Sequence, residues 1–526
     1  MEYKKIKDYF WLIVILIGAA IVRYWGIGFG LPNTNCRPDE WYMVDSVTMP
    51  VQRFYPGSFV YPCFYQYLNL FCYGLYFLFG LFTGRYNSLM DFTSELKSTN
   101  FVSLYFIDRL LSAAFGVATV FICYKIAERF FNKKTALISA FFLSFTYLHV
   151  RDSHFGTVDV PMTCLMMVSI FFIMKYYEEN SMRDYRLAGI FAGLAVSTKY
   201  SAVLLIVPMF VVNGIILAAT QGKGQRFAQL RLAAKRTLPF IAIMAGVFVL
   251  LNPYSILDMH KFVEECLGIL QGASVSQGID LGRGWWYHLR FSLFLGMGST
   301  LFFAALAGIL LLIKIDKKKA IVWCAFPLAY YLVAGAFLGV FLRWAVPFIP
   351  YLCITAAVFT AYILDALKKY CGTNVSKILT IILPCLMVAP SVYNIAHFDM
   401  LLLKKDNRLI ATEWIDKNLP AGSSLALRDS GYGILLTEGK KFVQQELTDR
   451  PKYLVIQKSA LKAFPVINRE EEEFIQKSYR LVAEFKAMNI NNPDNWFDQD
   501  DNFFIPFTGF KDIQRPGPNF CIYERK

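Results

Sequence analysis

The sequence predicts an all-α polytopic membrane bundle of about eleven transmembrane helices, with a small α/β domain at its C-terminal end. Three observations lead there. Of the 526 residues 56% are hydrophobic and 17% aromatic, and the mean hydropathy of +0.41 lies far above that of an ordinary soluble enzyme. Long apolar segments recur between short charged connectors, and hydrocarbon admits such segments only as helices that satisfy their own backbone hydrogen bonds. From about residue 398 the composition turns soluble.

Counting apolar segments places spans near residues 9–29, 102–124, 135–150, 159–177, 186–198, 201–219, 237–254, 299–315, 320–338, 343–364 and 378–397. The first span follows Lys4, Lys5 and Lys7 and runs past Gly18-Ala19-Ala20 without a clear cleavage site, so it is expected to be retained rather than removed as a signal peptide. The segment 61–83 is apolar enough to cross but opens with Tyr61-Pro62 and is dense in Tyr and Phe, as interfacial helices are.

Charge decides that case. The net charge of +14 does not gather on one basic face with aromatic platforms, which argues against nucleic acid. Lys and Arg collect instead in alternate connectors: Lys125, Arg129, Lys133 and Lys134, then Arg183 and Arg186, then Lys223 to Arg236, then Lys317 to Lys319, then Lys368 and Lys369. This positive-inside pattern would invert if 61–83 crossed, so the segment is expected to lie at the outer interface. The amino terminus is then inside and the carboxyl terminus outside a plasma (inner) membrane. Two long external loops follow, at about 30–101 and 255–298.

The expected division is a membrane domain at 1–397 and an extracytoplasmic α/β domain at 398–526. In the latter, Asn407 to Leu419 and Glu470 to Tyr479 read as helices, and Ser424 to Leu427 and Tyr453 to Gln457 as strands. Eleven scattered Cys with no CxxC pair indicate neither a disulfide framework nor a zinc ribbon.

The polar residues that stand out all fall on the expected outer side. Arg37-Pro38-Asp39-Glu40 puts two carboxylates just beyond the first span, readable as a base or as a solvated helix start. The connector Arg151 to Asp159 packs Arg151, Asp152, His154 and Asp159 into a loop too short to be a domain; ionisable groups at a membrane boundary suggest function, although Arg151 and Asp159 can also serve as helix-end charges. His149 and His154 with Asp39, Glu40 or Asp159 have no diagnostic metal spacing, which leaves a divalent metal ion as an option and no cofactor assigned. Lys199, followed by Tyr200, and Arg343 are cations at span ends that either bind a phosphate or anchor at the interface. Arg283 and Trp285-Trp286-Tyr287-His288 suit the headgroup belt better than a sugar platform.

Taken together, Pro38-Asp39-Glu40, Arg151 to Pro161, Gly193 to Ala202, Leu342 to Leu352, Phe503 to Phe510 and Arg515-Pro516-Gly517-Pro518 resemble glycosyltransferase family 39. That family is related to the protein O-mannosyltransferases and to the lipid A aminoarabinose transferase, all of the multi-span C-type glycosyltransferase fold. The resemblance covers nearly the whole chain. It implies transfer of a sugar, with inversion, from a polyprenyl-phosphate donor to a protein, lipid or glycan acceptor at the outer membrane face. By residue-to-residue carry-over it makes Asp39 the catalytic carboxylate with Glu40 in support. Relatives often carry His before the Pro, where this chain has Arg37, a departure that weakens a metal argument there.

The residues suit that reaction. An oxocarbenium-like transition state needs a carboxylate to take the acceptor proton and cations to hold the departing phosphate, roles open to Asp39 and to Arg151, Lys199 and Arg343. The rival expectations are a multi-span transporter or lipid flippase, whose ionisable sites would lie near mid-membrane, and a scaffold that merely displays the outer domain. Here the middles of the spans read as nearly free of charge.

Overall fold

A computed structural model describes residues 2–221, 226–276, 279–370, 372–428, 441–461, 467–498 and 504–526. Lys223 and Phe503, which figure in the sequence patterns, lie outside the described residues. The chain forms two compact units: Met1–Tyr24, Tyr42–Arg85 and Ile107–Ile395 in the first, and Trp25–Trp41, Tyr86–Phe106 and Ala396–Lys526 in the second.

The first unit is helical, and the apolar segments anticipated as spans fall on helices, except that the first helix ends at Tyr24 rather than near 29 and the run at 135–150 is divided between two helices. Among the described residues seven helices are long and apolar enough to cross a membrane, or eight if Gly284–Leu295 and Ser299–Ile315, which meet at 114°, form one bent span. The difference from about eleven lies in short helices: Lys133–Ser144 has 12 residues, Met182–Val196 has 15, and the apolar part of the first helix covers Tyr9–Tyr24. The run at 135–150 is broken where Thr146 turns extended, and resumes as Tyr147–Ser153.

Local chemistry sets several ends. Asn132, Ser181 and Asp316 cap their helices by accepting from the amides of Thr135, Asp184 and Lys319, which satisfies otherwise orphaned N–H groups. Helices Asp159–Glu179 and Leu342–Leu367 are mostly enclosed, whereas Phe227–Leu251 and the long helix Thr373–Leu402 present most of their surface outward. The helix Phe64–Phe82 within the 61–83 segment has two faces. It buries Tyr65, Gln66, Asn69 and Tyr73 and exposes Phe71, Leu75, Leu78, Phe79 and Phe82.

The second unit is built on a five-stranded sheet of β1 (Ser424–Arg428), β2 (Val443–Gln444), β3 (Tyr453–Lys458), β4 (Tyr479–Phe485) and β5 (Asn519–Arg525), in the order β2-β1-β3-β5-β4. β1 pairs parallel with β2 and β3, and β5 pairs antiparallel with β3 and β4. Alternation along β3 feeds two cores. Tyr453 and Val455 join Ala411 and Ile415 of helix Asn407–Asn418 on one face, while Leu454 and Ile456 join Ile475 of helix Arg469–Ser478 on the other. The expected helices and β1 and β3 stand within about a residue of their sequence bounds.

Candidate active site

In the first unit the polar residues gather around one short helix. Tyr147–Ser153 is buried along its whole length, and the connector behind it carries His154 and leads to Asp159, the first residue of helix Asp159–Glu179. A carboxylate there suits the positive end of a helix. Lys199 follows helix Met182–Val196 in extended conformation and brings Nζ to 2.5 Å from Asp159 Oδ1. Asp159 is buried, while the lysine side chain keeps 14% exposure. Asp159 Oδ2 is buried with no hydrogen-bond partner among the described residues.

Arg151 and Asp152 are adjacent and buried, with Nη1 3.5 Å from Oδ2, and the Arg151 guanidinium lies 5.2 Å from the Phe155 ring centre. His154 Nδ1 stands 3.0 Å from the Val150 carbonyl. Tyr200 donates its hydroxyl to the Phe59 carbonyl at 2.8 Å, outside the carboxylate cluster. Arg343 lies in the short turn Leu342–Phe348, which packs against helices Tyr147–Ser153 and Asp159–Glu179, and its guanidinium covers the Phe341 ring at 4.2 Å. In the aromatic run, Trp286 faces outward while His288 is buried with Nδ1 3.1 Å from Ser292 Oγ, a mixed belt rather than an open platform.

Three further charges belong to this cluster and did not stand out in the sequence. Arg23, fully buried near the end of the first helix, donates to the carbonyls of Ala19, Leu143 and Ser144 and reaches His149 Nδ1 at 3.0 Å. Because guanidinium only donates, His149 Nδ1 accepts and its proton sits on Nε2. Asp108 accepts from the Tyr73 hydroxyl, and Arg109 beside it is fully buried. Gly156 lets the connector rest on this pair, since a side-chain carbon there would stand 2.8 Å from Asp108 Cβ. The spans are therefore not free of charge, but Arg23 is one residue from its helix end and Asp108 about two turns into Val102–Phe130. The available signal was an Asp-Arg pair inside an otherwise apolar run.

Asp39 and Glu40 belong to the second unit. Glu40 and Arg37 are buried; Asp39 is partly exposed and holds φ at 73°, a left-handed conformation that Asp tolerates better than most residues. The same unit contains a cavity of about 980 Å³ lined by Gly28 to Pro32, Ser98 to Asn100, Leu402 to Asp406, Leu409, Thr412, Glu413 and Asp416. Among the described residues no group of three or more His, Cys, Asp or Glu side chains is arranged to hold a metal ion.

Residues 90–256 match the family model for dolichyl-phosphate-mannose-protein mannosyltransferases, a stretch that includes Arg151 to Pro161 and Gly193 to Ala202. The archaeal oligosaccharyltransferase AglB of Archaeoglobus fulgidus, solved with an inhibitory peptide and a dolichol-phosphate, superposes with a TM-score of 0.54 at 12% identity, covering 100% of this chain and 89% of that one. ArnT of Cupriavidus metallidurans, bound to undecaprenyl phosphate, superposes with a TM-score of 0.51 at 13% identity, covering 90% of this chain and 96% of that one. This chain has the C-type glycosyltransferase fold. The fold that the resemblance implies is thereby borne out, and at these identities the structural likeness is one of fold. An uncharacterised protein of Aquifex aeolicus (strain VF5) is 24% identical over 340 residues, which cover 64% of this chain and 61% of that relative's length.

Proposed function

We propose that the chain is a membrane glycosyltransferase that moves a sugar from a polyprenyl-phosphate donor to an acceptor at the outer membrane face, with inversion at the anomeric carbon. The observation that carries this reading is the two ion pairs, Arg151 with Asp152 and Lys199 with Asp159, lying within the segment that matches the mannosyltransferase family. Its support is the fold shared with two enzymes solved holding a dolichol-phosphate and an undecaprenyl phosphate.

In this reading Asp39 takes the proton of the acceptor hydroxyl as its oxygen bonds to the anomeric carbon. The bond from that carbon to the phosphate oxygen breaks, and its electron pair leaves with the lipid phosphate. Arg151, Lys199 and Arg343 hold the phosphate, arginine through paired contacts and lysine as a point charge. The ion pair with Asp159 keeps Lys199 in place before phosphate arrives. Glu40 supports the loop that carries the base.

The test is direct. Purified protein in lipid nanodiscs is incubated with a panel of radiolabelled polyprenyl-phosphate hexoses, pentoses and their amino derivatives, and label leaving the lipid is counted. Release from at least one donor is expected. Retention of all label, with lipid crossing between leaflets of reconstituted vesicles, would establish the flippase alternative instead; Arg23, Asp108 and Arg109 are the buried charges such an activity would use.

A further inference from the structure

Three residues before Asp39, the Cys36 thiol sits fully buried against a buried ion pair from the C-terminal part of the chain. Arg408 Nε donates to Asp406 Oδ1 at 2.9 Å and Nη2 to Oδ2 at 2.7 Å, a two-pronged contact that fixes both planar groups. The same Nη2 reaches Cys36 Sγ at 3.1 Å, while the thiol lies 3.9 Å from Asp406 Oδ2 and 3.2 Å from the Asn33 carbonyl. Gly30 completes the fit, since a side-chain carbon there would stand 2.2 Å from the sulfur.

The tail motif singled out in the sequence closes over the other side of this pair. Asn407 donates its amide to the Pro516 carbonyl at 2.9 Å and its side chain to the Pro518 carbonyl at 2.7 Å. Gly517, at φ 94°, passes so close that a side-chain carbon would stand 2.7 Å from Asp406 Oδ1. Phe504 supplies a ring 5.8 Å from the Arg408 guanidinium carbon. Removing two charges from water is costly, and well-packed apolar residues often replace such a pair without loss of stability, so its value lies in fixed geometry. Asp39, three residues beyond Cys36, holds a left-handed φ, and backbone in that region persists where its surroundings over-determine it.

We infer that Asp406 and Arg408 are positioning residues that hold the Asp39 loop through Cys36, with the Arg515 to Pro518 turn closing the assembly; this rests on the reading of Asp39 as the base. The start of helix Asn407–Asn418 and the Arg515 to Pro518 turn then belong to the catalytic apparatus, while the far core of the sheet does not.

The experiment uses the full chain in nanodiscs, with donor turnover to water measured on the donor that the panel selects. Arg408→Lys keeps the charge and loses the fork; Cys36→Ala removes only the thiol. For Arg408→Lys a fall in kcat on the order of 10²-fold is expected with the donor KM changed less than about twofold, because misplacement of a base acts on the chemical step. Amide exchange in residues 33–41 should rise while β3 and β5 stay protected. Cys36→Ala should do the same to a smaller degree. Ile475→Ala, in the opposite core of the sheet, should lower the unfolding temperature without changing kcat or exchange at 33–41. Exchange rising throughout the unit, or a freed loop with undiminished kcat, would overturn the inference. Full turnover by Asp39→Asn would instead remove the base assignment, and the exchange measurement would still report on the brace.

Discussion

Lys199 and Asp159 show how a sequence signal changes meaning once its surroundings are known. Read alone, Lys199 is a cation at a span end; in the structure it neutralises a carboxylate that is otherwise buried. Lys199→Met should therefore destabilise the protein by about 3–5 kcal/mol, the usual consequence of leaving one member of a buried pair without its partner. Thermal unfolding in detergent measures this, and an unchanged midpoint would mean that Asp159 finds another donor. The Arg343 guanidinium lies over an aromatic ring, and Arg343→Ala should raise the donor concentration needed for half-maximal rate by roughly 10- to 100-fold, about the 1.5–3 kcal/mol of a charge-assisted contact. Unchanged donor dependence would make Arg343 an interface anchor. The Arg151 to Asp159 connector was legible because it interrupts apolar sequence with clustered polar groups. Arg23, Asp108 and Arg109 were not, because each is averaged away inside a long apolar window.

Among the helices, Met259–Ser274 has three distinct sides. Glu265 takes hydrogen bonds from Ser58 Oγ at 2.9 Å and from the Phe59 amide, and Phe262 packs on Phe59 and Tyr200. Met259, Val263, Leu267 and Leu270 form an exposed apolar row, and His260 and Glu264 an exposed polar one. A helix so divided suits a membrane interface. A fluorophore at Leu267→Cys should be quenched by lipid-borne quenchers and one at His260→Cys by aqueous ones; equal aqueous quenching would place the helix in water. Close helix packing makes a second prediction. Gly193 lies where a side-chain carbon would stand 2.5 Å from Val247 Cβ, so Gly193→Val should force helices Met182–Val196 and Arg226–Leu251 apart and cost about 1–3 kcal/mol by thermal unfolding. Helices were legible because apolar length announces them, whereas the break at Thr146 carries no Pro or Gly. β4 and β5 escaped notice for a different reason. β5 pairs with β3 across the sheet, Tyr453 facing Glu524, and such distant pairing leaves no local mark.

At the scale of the molecule, composition changes near residue 398, and a boundary drawn from composition falls there. Packing groups the chain otherwise, placing Trp25–Trp41 and Tyr86–Phe106 with Ala396–Lys526. No compositional signal announces this, since those early segments are ordinary loop and helix sequence whose partners lie hundreds of residues away. The proposed base thus sits in the unit that also holds the sheet, and the cations in the unit that holds the bundle. The measurement that bears most directly on the account is single-turnover release of labelled sugar from polyprenyl phosphate by wild-type protein and by Asp39→Asn, both folded and inserted in nanodiscs. The account predicts release by the wild type and a loss of at least 10²-fold, roughly the worth of a general base, in the variant. Equal rates for the two proteins would contradict it.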